Sequence, residues 1–308
     1  MSTASAAPTY RSGKDSVAPD GAISDETRGA ALQFLAALAK EVSSGTVDLP
    51  CFPDIVIRIR NALADPGTTA EQTVTIVGAE PRLAARLLQT ANSAAFNQSG
   101  KPLNDLRSAI TRLGHQLVQS AAMAFAVQHL KNEQSLRSIA GLLGELWKQS
   151  IIVASMCQEV AKRTKVNPDE AFLTGLLHGI GRLYIMVRVV GRASDFKDPK
   201  AFMTLVSGWH ASIGKAVLEN WGFDENLCEA IGSQSDVDRS RRSRDADLAD
   251  VLVASIALSR GLAVKEDAES QIMGPRAFAV LGLTAKDCVT IAAHAKKQLG
   301  SLQEVLGC

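Results

Sequence analysis

Two histidines, His178 in Leu177-His178-Gly179-Ile180-Gly181 and His210 in Trp209-His210, are the side chains best suited to metal or proton chemistry. A catalytic metal centre needs at least three converging protein ligands and an open position for the water it activates. Two imidazoles alone fall short of that set, and the simpler role for His178 is a core histidine hydrogen-bonded to backbone at the end of a buried helix. Covalent chemistry has less support. Ser150 and Ser155 lack His and Asp partners at a recognisable spacing, no GxSxG occurs, and Cys157 lies on an apolar helical face where a thiol is inert. Gly175, Gly179 and Gly181 precede no GK[ST] and follow no strand, so close helix packing accounts for them better than a phosphate loop does. Arg239, Arg241, Arg242 and Arg244 could grip phosphates, but Asp236, Asp238, Asp245 and Asp247 flank them and no aromatic is interleaved to stack a base. Asn92-Ser93 could donate hydrogen bonds to a partner and equally suits a helix end.

The whole chain gives these groups no electrostatic help. Its 308 residues carry 33 Lys plus Arg against 32 Asp plus Glu, a formal charge of +1, which argues against nucleic acid or an anionic membrane as a partner. Five single cysteines without a CxxC pair exclude a zinc ribbon or thioredoxin motif and fit a reducing cytoplasm. The first residues have neither a basic region nor an apolar run, so no secretory signal is expected. Leu113 to Leu130 contains no formal charge, yet His115, Gln116, Gln119, Ser120, Gln128 and His129 would each need a partner in hydrocarbon. Burial between helices explains that segment, and no membrane span is expected.

The elements that must position these residues read as helices throughout. Residues 1–24, rich in Ser, Ala, Pro and Gly, are expected to form a flexible tail. Residues 25–45 carry Ala31, Leu35, Leu38 and Val42 at helical spacing. Beyond the LPCFP turn, where Pro53 suits a first helical turn, four or five short helices fill roughly 50–130. Thr69 and Gln72 form a capping-box pattern, Pro81 opens a helix, Asn104 is a candidate N-cap, and Gly114 is a helix stop. A long helix runs through Leu142–Val160 and another begins at NPDE, residues 167–170. Val187, Val189 and Val190 continue an apolar helical face rather than make a strand. Further helices start near Pro199, Phe223 and Ala246, a final pair covers 261–308, and Trp147, Trp209 and Trp221 are expected core anchors. The fold class is all-α.

Two ordered blocks sharpen this reading. The first runs Leu49-Pro50, Pro53, Glu80-Pro81-Arg82-Leu83, Arg86-Leu87-Leu88, Ala91-Asn92-Ser93-Ala94, Phe96, Pro102, Leu106, Ala109-Ile110 and Leu113-Gly114. The second is Ala171 through Gly181, then Trp209-His210, Gly214 and Trp221-Gly222-Phe223. Their order resembles the HDOD (HD-related output domain) family of bacterial signalling proteins, over about residues 46–260. The resemblance implies an N-terminal helical part, 46–130, packed on a degenerate relative of the HD phosphohydrolase core, 131–260, with C-terminal helices packed on the domain.

The same resemblance supplies the metal-ligand positions of an HD enzyme. Here they hold Gln149, His178, Gly179, His210, Ser233 with Gln234, and Ser255, so only the two histidines survive and no metal or cofactor is expected. The implied function is a non-catalytic signalling module that binds a protein partner, or a small ligand or nucleotide, in a groove near Asn92, Ser93, His178 and His210. Two alternatives stay open: a metal-dependent phosphohydrolase acting on a nucleotide or cyclic dinucleotide, and nucleic-acid binding through the 239–244 arginine loop. The segments outside the domain are too short for a receiver, cyclase or phosphodiesterase domain, so the module is expected to stand alone.

Overall fold

Capping and breaking signals along the chain give thirteen α-helices and one 3₁₀ helix, with no strand among the described residues. The computed structural model describes residues 25–43, 54–65, 67–94, 96–97, 100–190, 199–237, 239, 245–263 and 276–306. The expected tail, the LPCFP turn with Pro53, and Arg241, Arg242 and Arg244 lie outside them. The helices are α1 (Asp25–Ser43), α2 (Asp54–Ala64), α3 (Ala70–Gly78), α4 (Pro81–Asn92), α5 (Leu106–Asn132), α6 (Ala140–Ala161), α7 (Pro168–Leu177), α8 (Ile180–Val189), α9 (Pro199–Asn220), α10 (Glu225–Gly232), α11 (Leu248–Ala263), α12 (Arg276–Val280) and α13 (Ala285–Leu306).

Local chemistry sets these boundaries. Thr69 and Gln72 close the reciprocal capping box that starts α3. Glu80 and Pro81 start α4, and Asn167 accepts hydrogen bonds from two backbone amides at the start of α7. The expected N-cap Asn104 is displaced by its neighbour Asp105, whose carboxylate accepts the Ser108 N–H at 2.7 Å. An ionised acceptor serves the positive end of the helix better than an amide does. At Gly114 the backbone takes φ +75°, which stops one helical run and starts another inside α5. Val187 and Val189 are helical, and Val190 ends α8 as its C-cap with ψ 128°.

One continuous apolar core runs through both parts of the chain. In the N-terminal part, α2, α3 and α4 pack on α5, and α5 in turn packs on α6 and α7. The central layer is α6 with α7, α11 and α13, while α8 packs on α9 and α10 bridges α9 and α11. Helix α1 lies along α9, in the C-terminal part, rather than with its neighbours in sequence. Pro168–Val189 is long and apolar enough to cross a membrane, but it is broken into α7 and α8, and 78% of its most apolar window is buried in the protein.

The two glycine-dependent crossings position the functional candidates. A Cβ on Gly181 would lie 1.9 Å from the His210 carbonyl oxygen, and one on Gly175 would lie 2.6 Å from the Ala154 Cα. Helices α8 and α9 therefore touch backbone to backbone, as do α7 and α6. These glycines serve close helix packing, the role their sequence context favoured.

Candidate functional site

His178 ends α7 and His210 sits on α9, and the Gly181 crossing brings them together. Both are buried. The His178 Nδ1–H donates to the Gly175 carbonyl at 2.7 Å, the backbone bond expected of a core histidine. Burial is the main cause that pulls the His178 pKa down to about 4, with Arg182 and Arg260 adding to it against the Gly175 bond. His210 is pulled down to about 3 by burial, then by Arg182, His178 and Arg260. Both rings are neutral at pH 7. Arg182, one helical turn past His178, donates from Nη2 to His210 Nε2 at 2.8 Å.

The other positions that the resemblance matches to metal ligands hold neutral groups, and Gln149, Gln234 and Ser233 bond within the protein. The Gln149 side-chain amide donates to the Ser259 hydroxyl at 3.0 Å. That of Gln234 donates to the His178 carbonyl at 3.1 Å and the Ile231 carbonyl at 2.9 Å. Ser233 returns its hydroxyl to the Glu229 carbonyl at 2.8 Å. Ser255 is fully buried, with the Cys157 thiol as its polar neighbour. Burial pushes Cys157 up to about 12, so it is no nucleophile.

These residues do not fit a divalent ion. Among the described residues no group of three or more His, Cys, Asp or Glu converges. A guanidinium cation occupies the His210 nitrogen that would have to face a metal, so the centre carries positive charge where a metal site needs negative charge.

Residues of two expected sites are engaged within the protein. Asn92 is bound at both ends of its amide, donating to the Leu103 carbonyl and accepting the Leu103 N–H, each at 2.7 Å. Ser93 donates to the Thr90 carbonyl at 2.8 Å. Asn92 thus fastens the end of α4 to the loop before α5, and Ser93 turns back onto α4 itself. Arg239 bonds Asp247 at 2.6 Å and Asp250 at 3.3 Å, and Asp250 is buried, so its guanidinium clamps the start of α11 rather than offering a free anion grip.

The cleft between the two parts lies elsewhere. It encloses about 490 Å³ and is lined by Arg60, His115, Gln119, Glu170, Phe223 and Asp224 among others, drawing on α2, α5, α7 and the turn before α10. Gly222 makes this turn possible with φ +69°, and the Arg60 guanidinium lies over the Phe223 ring at 5.6 Å. The Arg60 Nε is buried without a partner. Burial, with the charge of Asp224, raises the pKa of Glu170. Sequence reasoning missed Arg60, Glu170 and Arg182. The visible signals were a lone arginine in the apolar stripe Ile59-Leu63 and an arginine four residues after His178.

The chain is 22% identical to a Shewanella amazonensis protein named provisionally as a metal-dependent phosphohydrolase, with a TM-score of 0.62, covering 87% of this chain and 99% of that one. A Geobacter sulfurreducens HDOD domain protein with unknown function gives 23% identity and a TM-score of 0.59, covering 89% of this chain and 99% of that one. An uncharacterized protein of Treponema pallidum is 23% identical over 209 residues, which are 63% of this chain and only 39% of that protein. At these identities the likeness establishes the fold. The HDOD domain model matches residues 49–237, a span containing both surviving histidines, the Gly181 crossing and the Trp221-Gly222-Phe223 turn, and over this span the chain belongs to the HDOD family.

Proposed function

We propose that the protein is a non-catalytic module of a bacterial signalling pathway that acts in the cytoplasm by binding. The observation that carries this reading is the Arg182 to His210 hydrogen bond in a centre whose inherited ligand positions hold no carboxylate. A hydrolase of this descent activates water on a metal, and the positive charge of Arg182 opposes metal entry at that place. Binding then falls to the cleft at Arg60 and Phe223, where a cation, an aromatic face and two carboxylates surround a space large enough for a side chain or a small ligand.

The test is elemental analysis of untagged protein purified without chelator, beside assays of p-nitrophenyl phosphate and cyclic dinucleotide hydrolysis. The expected result is substoichiometric metal and no turnover above the blank. Stoichiometric metal that disappears in the His178→Ala, His210→Ala double variant, together with turnover, would overturn the reading in favour of the phosphohydrolase.

A further inference from the structure

The degenerate centre carries more than a loss. Its positive charge comes from two arginines, and among the described residues neither has a carboxylate partner. Arg182 has five N–H donors and spends one on His210. Among the described residues the charged group that bears on Arg182 is Arg260, another cation, and no carboxylate pairs with either one. Arg260 is exposed on the last turn of α11, Arg182 is half-buried at the start of α8, and the charges of both bear on the two buried histidines. Because His210 Nε2 accepts from Arg182, the ring proton of neutral His210 sits on Nδ1, a buried donor with no partner. Two unneutralised guanidiniums and an unsatisfied donor make a site that lacks an acceptor and negative charge. Both are what a tetrahedral dianion brings, and guanidinium forks match its paired oxygens.

We infer that the centre built from Arg182, Arg260 and His210 binds the phosphate group of a small molecule. The inference rests on the non-catalytic reading of the same centre, with a cation-binding site turned into an anion-binding one. A polymer is a poorer fit, because the molecule's formal charge is only +1 and, among the described residues of the arginine loop, Arg239 is already held by Asp247 and Asp250.

The test is calorimetric titration of the full chain with inorganic phosphate and, separately, with AMP, at constant ionic strength set with sodium chloride. Saturable binding of either probe is expected, weakened about tenfold or more by Arg182→Gln, since a charge-assisted hydrogen bond contributes that much. Arg260→Gln is expected to weaken it in the same direction. Its exposed position leaves the fold intact even where Arg182→Gln does not fold, as checked by circular dichroism. Binding of phosphate points to the free ion, and binding of AMP alone points to a phosphate ester. No saturable heat with either probe, or wild-type affinity in the folded variants, overturns the inference. Release of phosphate from AMP would sink the non-catalytic reading and leave the anion site standing, whereas absence of both binding and release would sink the anion site alone.

Discussion

The centre at His178 and His210 and the cleft at Arg60 and Phe223 lie in one continuous core but are built by opposite means. At the first, glycines remove side chains so that helix backbones meet, and the amides of Gln149 and Gln234 and the His178 ring bond within the protein while His210 Nδ1 does not. At the second, a positive-φ turn presents the Phe223 ring to Arg60 of α2, beside about 490 Å³ of open cleft with Glu170 and Asp224 on its wall. The tight site offers an outside molecule only the guanidiniums at its edge, whereas the open one has the volume to enclose a molecule. One helical scaffold can thus hold a tightly crossed centre and an open cleft side by side, and its function has to be argued from each site rather than from the fold.

This contrast can be broken most severely at Gly181. Gly181→Ala places a methyl group against the His210 carbonyl, and overpacking backbone on backbone is expected to cost about 3 kcal/mol or more, read as a fall in urea midpoint or loss of soluble protein. Acid is the next lever. Both buried histidines have folded pKa values below the unfolded value near 6.5, so the unfolded chain takes up their protons first and stability falls as pH drops from about 6.5 toward 4. The expected loss is about 2 kcal/mol per histidine by pH 5, measured by urea unfolding, and His178→Gln should remove its share of that slope. A pH-independent stability between 7 and 5 would show that the rings are not buried in this way.

At the open cleft the effect should be smaller. Arg60→Ala removes the cation over Phe223 and is expected to lower stability by about 1 kcal/mol or less, while abolishing whatever binding the cleft supports. The smallest change is a control on α9 itself. Gly208 is exposed, with open space where an alanine methyl group would stand, so Gly208→Ala should stabilise the helix by about 0.5 to 1 kcal/mol. Opposite signs at Gly181 and Gly208 would confirm that crossing geometry, not glycine content, shapes the tight site.

Much of the architecture was legible in the sequence because its signals are local. Periodicity, the Thr69 and Gln72 box, Pro81 and Gly114 each act within a few residues, and the structure places them as read. The two histidines were legible as remnants, and Gly175 and Gly181 as packing residues. What escaped depends on tertiary approach. Asn92 shows the limit well, since an amide at a helix end looks free until Leu103 returns eleven residues later to occupy both its ends. Arg182 and Arg60 escaped for the same reason: an arginine in sequence carries no sign of whether a carboxylate will meet it. The family match ends at residue 237, short of Ser255, so the assignment of that serine to an inherited ligand position rests on the order of residues alone.

The place of α1 bears on how the chain reaches its fold during synthesis. Glu41 accepts hydrogen bonds from Tyr184, 143 residues later, and from Arg188, 147 later, and the Val42 carbonyl accepts one from Asn220, 178 later. The first described helix to leave the ribosome is therefore among the last to dock, with its apolar face of Phe34, Leu35 and Leu38 waiting for α9 to emerge. Translation at about 5 to 20 residues per second leaves that face uncovered for many seconds. A nascent chain of this design has reason to depend on a holdase, and slowing elongation between α1 and α9 should cost yield more than slowing it after Asn220.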